Sequence, residues 1–99
     1  IELKADKQPI GKFINAKPFT HQEIQLEKGD QLYLFSDGFA DQFGGEKGKK
    51  LKSQTFKEML IHHRDEAMAK QRAILENAFD QWRGELEQID DVCVMGIRI

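Results

Sequence analysis

The chain has 99 residues, 39% of them apolar and 32% charged. That is enough apolar material for one small globular domain and too much for a disordered tail. A formal net charge of −2 excludes a globally basic nucleic-acid binder, and the single cysteine, Cys93, excludes an internal disulfide framework. The longest unbroken apolar runs are four residues, such as Leu32 to Phe35. These are far short of the ~20 residues of a membrane-spanning helix. No signal peptide is visible, no direct membrane contact is expected of this segment, and a cytoplasmic location is. A chain that begins at Ile1, in what reads as a strand, is expected to be part of a longer protein.

Residues 1–4 alternate apolar and charged, the period of a half-buried strand. Pro9 and Gly11 then mark a loop. Residues 19–26 alternate again, with Ile24 and Leu26 on the prospective core face. Lys28-Gly29-Asp30 is a turn signal, and residues 31–36 follow as a second strand, so the two predict an antiparallel hairpin. Leu32 and Leu34 point one way from this strand, Tyr33 and Phe35 the other. With both faces apolar, it is expected to be buried on both sides.

Gly38, Gly44, Gly45 and Gly48 then cluster near Lys47, Lys49, Lys50 and Lys52, which reads as an irregular, mobile, basic loop. Its glycines and lysines resemble a phosphate loop only superficially. Phe43 stands where the Walker pattern needs glycine, and Lys50 replaces its Ser/Thr. Ser53 is the expected N-cap of a helix carrying Phe56, Met59, Leu60 and His63 on one stripe. A longer helix carries Met68, Leu75, Ala78, Phe79 and Trp82, with Gly84 as its stop. Residues 92–99 close the chain as a strand that is again apolar on both faces. The expected fold is α+β: an antiparallel sheet with two helices packed on one face.

Two turns hold candidate chemistry. Asp37 follows the apolar run Leu32-Tyr33-Leu34-Phe35-Ser36, and Asp90-Asp91 precedes the last strand. A rigid strand end holds a carboxylate in a fixed place. Two adjacent carboxylates repel if buried, and a hard divalent cation relieves the repulsion. One aspartate follows its strand and the other precedes its own, so antiparallel pairing of the two strands puts both at one edge. Taken singly, Asp-Gly after a strand is most often a turn and Asp-Asp a solvated loop. His62-His63 has no second ligand pair at zinc spacing and reads as an exposed helix end. Cys93 reads as a small buried hydrophobe, and Phe79 and Trp82 as core.

The run GDQLYLFSDGFADQFGG, with QIDDVCVMGIRI at the end, resembles the C-terminal half of the metal-dependent protein phosphatases (PPM family). Within that family it is most similar to the bacterial SpoIIE-like branch. Leu3-Lys4 and Pro9-Ile10-Gly11 extend the similarity over nearly the whole chain. The resemblance implies half of a four-layer sandwich, with residues 1–99 the C-terminal part of a single phosphatase domain whose N-terminal half is absent. It implies hydrolysis of phosphoserine or phosphothreonine by a water bridging two Mn²⁺ or Mg²⁺ ions. Asp37 and Asp90 match metal ligands of the family, Asp91 the place after the second ligand, and Asp41 an acidic position near an additional ion. The family's early aspartate and its earlier Asp-Gly pair, both in the N-terminal half, have no counterpart upstream of Asp37.

The implied partners are a phosphorylated regulatory protein as substrate and other domains of the parent chain. The charges of Lys47, Lys49 and Lys50 make them candidate contacts for that substrate, against the plainer reading of a solvated loop. The fragment alone is expected to be inactive and to self-associate through its uncovered apolar face. A phosphatase-like binding module without turnover is the alternative. A third possibility makes Asp37 and Asp90 turn residues only.

Overall fold

A computed structural model describes residues 1–4 and 17–99. The loop expected around Pro9 and Gly11 lies outside the described residues. The elements are β1 (Gln31–Phe35), α1 (Gly38–Asp41), β2 (Phe43–Gly44), β3 (Lys49–Lys50), α2 (Ser53–His62), α3 (Met68–Arg83) and β4 (Val94–Arg98). The class is α+β, as expected. The strands form two antiparallel two-stranded sheets, β1 with β4 and β2 with β3.

β1 and β4 pair over five rungs, from Gln31 opposite Arg98 to Phe35 opposite Val94. Alternation therefore puts Gln31, Tyr33, Phe35, Val94, Gly96 and Arg98 on one face, and Leu32, Leu34, Met95 and Ile97 on the other. The helices cover the first face. Tyr33 and Val94 pack against a core of Phe39, Ala40, Leu51, Phe56, Leu60 and Phe79. Phe56 is fully buried and joins three elements. Its ring meets Phe35 edge-on at 5.0 Å and Phe39 at 4.8 Å, and Phe39 meets Phe79 at 5.2 Å.

The second face is the uncovered apolar face expected of the fragment, not the two-sided burial its apolar pattern alone suggests. Leu34 is 55% exposed, Met95 53% and Ile97 38%. Among the described residues, α1, α2, α3 and Leu51 supply the core that packs on the opposite face. Cys93, expected inside, is exposed; it shares the parity of Met95 and Ile97.

The expected hairpin is half formed. The turn before β1 exists: Asp30 N–H donates to Glu27 O at 3.0 Å, and Glu27 N–H to the Asp30 carboxylate at 2.8 Å. Residues 19–26 and 1–4, however, form no strand. The turn binds instead to the end of the chain: Gly29 N–H donates to Ile99 O, and Ile99 N–H to Asp30 O, each at 2.9 Å. Two inward apolar residues, Ile24 and Leu26, give the 19–26 segment little area to bury. That does not offset the entropy of fixing it.

The basic loop is more ordered than its composition suggests. β2 and β3 form a small hairpin, Gly44 is buried, and Leu51 belongs to the core. A Cβ at Gly44 would lie 2.0 Å from Trp82 O, so only glycine lets this strand lie on α3. Gly45 N–H donates to the same carbonyl at 3.0 Å, and Trp82 Nε1–H donates to Gln42 O at 2.8 Å.

α2 starts one residue earlier than expected. Lys52, with φ of 80°, takes the cap position, and Ser53 is the first helical residue without a side-chain cap bond. α3 ends at Gly84, as its sequence predicts. Its inward stripe also includes Gln71, which is buried.

Candidate metal centre

The β1–β4 ladder brings the two aspartate segments to one end of the sheet. Continuing its register past Phe35 and Val94 places Ser36 opposite Cys93, and there the pairing changes character. Ser36 N–H donates to Cys93 O at 3.0 Å. Cys93 N–H donates to the Ser36 hydroxyl at 3.1 Å, and that hydroxyl donates to Asp91 O at 3.1 Å. One serine thus holds β1 to the chain entering β4 on both sides of Val92.

The next residues are fitted equally closely. Asp37 caps α1 with near-helical angles (φ −80°, ψ −2°), and its carbonyl accepts from Asp41 N–H at 2.9 Å. Gly38 is buried against the approaching strand, where a Cβ would lie 2.2 Å from Asp91 O. The Asp-Gly pair is therefore demanded by packing: glycine is the residue that lets the Asp90-Asp91 backbone come this near.

Asp37, Asp90 and Asp91 are all exposed. Water therefore already solvates the Asp90-Asp91 pair, and the repulsion expected of a buried pair does not arise here. Asp91 N–H donates to Asp90 Oδ1 at 2.8 Å, and Gln88 Nε2 donates to Asp90 O at 2.9 Å. An open depression of about 340 Å³ is lined by Gln88, Ile89, Asp90 and Asp91. Among the described residues no basic side chain pairs with Asp37, Asp90 or Asp91.

Asp41 ends α1 and faces a cation already supplied by the chain. Lys50 Nζ lies 3.8 Å from its Oδ1 and 5.8 Å from the Phe43 ring centroid. Lys47 and Lys49 are exposed on the β2–β3 hairpin. His62 and His63 stack edge-on at 4.7 Å, away from these acids in sequence, and among the described residues no third ligand joins them.

The donor chemistry fits a hard divalent cation, because the groups presented are carboxylate oxygens. The set is partial: among the described residues no three His, Cys, Asp or Glu side chains gather closely enough to hold a metal ion. Two residues essential to this end carried no hydropathy signal. Ser36 ties the strands. Gln42 is fully buried, with Nε2 donating to Phe43 O and Glu87 O at 2.9 Å each, which holds the segment leading to Asp90. A polar residue between an apolar strand and an Asp-Gly turn is the only sequence trace of the first, and the second leaves none.

The family profile for Stage II sporulation protein E (SpoIIE) matches residues 1–99. The chain belongs to the SpoIIE family. Among solved structures it is similar to the SiaA-PP2C domain of Pseudomonas aeruginosa, with 32% identity and a TM-score of 0.78 over 82% of this chain. The chain spans about a third of that solved domain, 33% of its length. No curated protein matches it. Among the described residues, no helix of the chain is long and apolar enough to cross a membrane.

Proposed function

We propose that these 99 residues are the C-terminal part of a SpoIIE-type phosphatase domain. It would remove phosphate from phosphoserine or phosphothreonine of a bacterial regulatory protein. The observation that carries this reading is the end of the β1–β4 ladder. Two separate Asp-containing turns meet there, offering hard oxygen donors with no basic residue paired to them among the described residues. Asp37 and Asp90 would each hold a Mn²⁺ or Mg²⁺ ion in the complete domain, with Asp91 and Asp41 beside them. Bound there, such ions supply an activated water and offset the charge of the phosphate. The remaining ligands would come from the rest of the domain, since the chain spans a third of the solved relative.

The chain's own residues have distinct tasks in this scheme. The ladder fixes the spacing of the two turns, and Gly38 lets them approach. Lys47 and Lys49, exposed on the hairpin, attract a phosphorylated substrate at long range. Lys50 serves Asp41 first.

The test is phosphate release from a phosphoserine peptide by the complete domain in Mn²⁺. Asp37→Asn and Asp90→Asn should each abolish turnover and weaken Mn²⁺ binding, while the isolated 99 residues show no turnover. Mn²⁺ binding without turnover in the complete domain would instead favour a regulatory binding module. Full activity in both variants would make the two aspartates turn residues only.

A further inference from the structure

We infer that Ser36 is a positioning residue for the metal-binding end of the domain. Its hydroxyl sets the distance between Asp37 and Asp90. The inference rests on the metal-site reading of those two aspartates.

Three observations carry it. In a regular antiparallel ladder, residues facing each other at a narrow rung exchange two backbone hydrogen bonds. Ser36 and Cys93 stand at such a rung, but only one backbone bond forms, from Ser36 N–H to Cys93 O at 3.0 Å. The Cys93 N–H, which a regular ladder would send to the Ser36 carbonyl, donates to the Ser36 hydroxyl at 3.1 Å. The backbone of β1 is thereby released from the ladder just where it must turn into α1.

Second, the same hydroxyl donates onward to Asp91 O at 3.1 Å. Asp91 lies beyond the last paired residue of β4 and next to Asp90. A single oxygen thus accepts from one side of Val92 and donates to the other, so it fixes the curvature of the strand at the point where Asp90-Asp91 leaves it. Third, the Asp91 carbonyl it holds is the atom nearest the missing Cβ of Gly38, at 2.2 Å. If the hydroxyl were absent, nothing on the β1 side would restrain that carbonyl at its close approach to Gly38. The two aspartates would then drift relative to each other.

Groups that only orient metal ligands are worth about 10–100-fold in metal affinity. A hydroxyl acting on both turns at once belongs in that class. An alanine here would leave both carboxylates in place and change only how they are held. A threonine would keep the oxygen, so it separates the hydroxyl's role from that of side-chain volume.

The experiment is a Mn²⁺ titration followed by electron paramagnetic resonance, on the complete domain carrying these residues, with thermal unfolding recorded alongside. Wild type, Ser36→Ala, Ser36→Thr and Asp37→Asn are compared. Ser36→Ala should weaken Mn²⁺ binding about tenfold, and Ser36→Thr should restore it to within about twofold of wild type. A Ser36→Ala protein with lowered thermal stability and unchanged Mn²⁺ affinity would overturn the inference, leaving the serine a plain structural link. Unchanged affinity in Asp37→Asn would instead overturn the metal-site reading itself. Should Ser36→Ala fail to fold, Ser36→Cys takes its place, with similar volume and a weaker donor and acceptor. Weakened Mn²⁺ binding in Ser36→Cys supports the assignment, and wild-type binding refutes it.

Discussion

The two ends of the β1–β4 ribbon are built on opposite plans. At the end away from the aspartates, polar groups are saturated with partners. The Tyr33 hydroxyl lies within hydrogen-bond distance of Gln31 Oε1 and Gln71 Oε1. Gln71 Nε2 donates to Gln31 Oε1 at 3.1 Å and to Glu66 O at 2.9 Å. Arg98 donates to the Glu66 carbonyl as well, also at 2.9 Å. β1, β4, α3 and the turn between the two long helices are bound into one network. At the other end, one serine joins the strands and the carboxylates face water. Polar groups satisfy one another at the first end, while the aromatic core of Phe35, Phe39, Phe56 and Phe79 lies beside the second. Capacity for binding is kept where polar groups do not satisfy one another, because a carboxylate already paired with a lysine has less to offer a cation.

Substitutions at the two ends should therefore fail in different ways. The largest effect is expected at the open end: Asp37→Asn should cost at least about 100-fold in turnover by the complete domain. Its urea midpoint should stay near that of wild type. A large loss of stability would mean that the open end is structural after all.

Gln71→Leu should show the reverse. It removes one hydrogen bond each from Tyr33, Gln31 and the Glu66 carbonyl in a half-buried place, where each keeps one other partner, at a cost of about 2 kcal/mol. Equilibrium urea unfolding would measure this, with activity per folded molecule unchanged. A neutral Gln71→Leu would mean that the network contributes specificity rather than stability.

How much of this contrast was legible in the sequence depends on what each part is made of. The placement of Asp37 and Asp90 at the same end of the β1–β4 ribbon followed from two apolar runs and the sense of their pairing. Both long helices followed from apolar stripes. The saturated end was invisible, because Gln71 sits on the α3 stripe among apolar residues and its partners are the carbonyls of Arg64 and Glu66 in an irregular turn. Hydropathy periodicity reports apolar contacts and is blind to a buried amide. The strand expected over residues 19–26 failed for the converse reason: the alternation was there, but no neighbouring surface rewarded it. Composition also misread the Gly-Lys segment, whose Gly44 and Gly45 serve close packing on Trp82.

Two smaller effects sharpen the comparison. Burial pushes the Tyr33 hydroxyl above its ordinary pKa of 10, against the opposing pull of its bond to Gln71 and the charge of Arg98. A group whose folded pKa is raised contributes stability that is full below the unfolded value. That contribution is lost as pH rises through the folded value. Unfolding followed from pH 9 upward should show wild type losing stability beyond pH 10 more steeply than Tyr33→Phe. Equal slopes would mean that burial of the hydroxyl does not outweigh the opposing pulls of Gln71 and Arg98.

The smallest effect is local. Gly45 and Leu51 amides, bonded to Trp82 O and Gln42 O, should exchange with solvent more slowly than those of Glu46 and Lys47 at the hairpin tip. Uniformly fast exchange across the segment would show that its docking on α3 is transient.

The ladder that aligns the aspartates joins residues from far apart in the chain, Phe35 with Val94 and Ser36 with Cys93. Everything from α1 to the end of α3 is a loop closed by those rungs. Closure entropy grows only with the logarithm of loop length, so even doubling the loop would cost about 0.6 kcal/mol. Extra residues at the tip of the β2–β3 hairpin should therefore leave the alignment intact. A slip of two residues in the ladder would not, since it carries one aspartate roughly 7 Å past the other. Variation in this chain therefore has a cheap coordinate and an expensive one: added residues at the hairpin tip should be tolerated, while a change in the count of residues from Gln31 to Asp37 or from Asp90 to Arg98 should not.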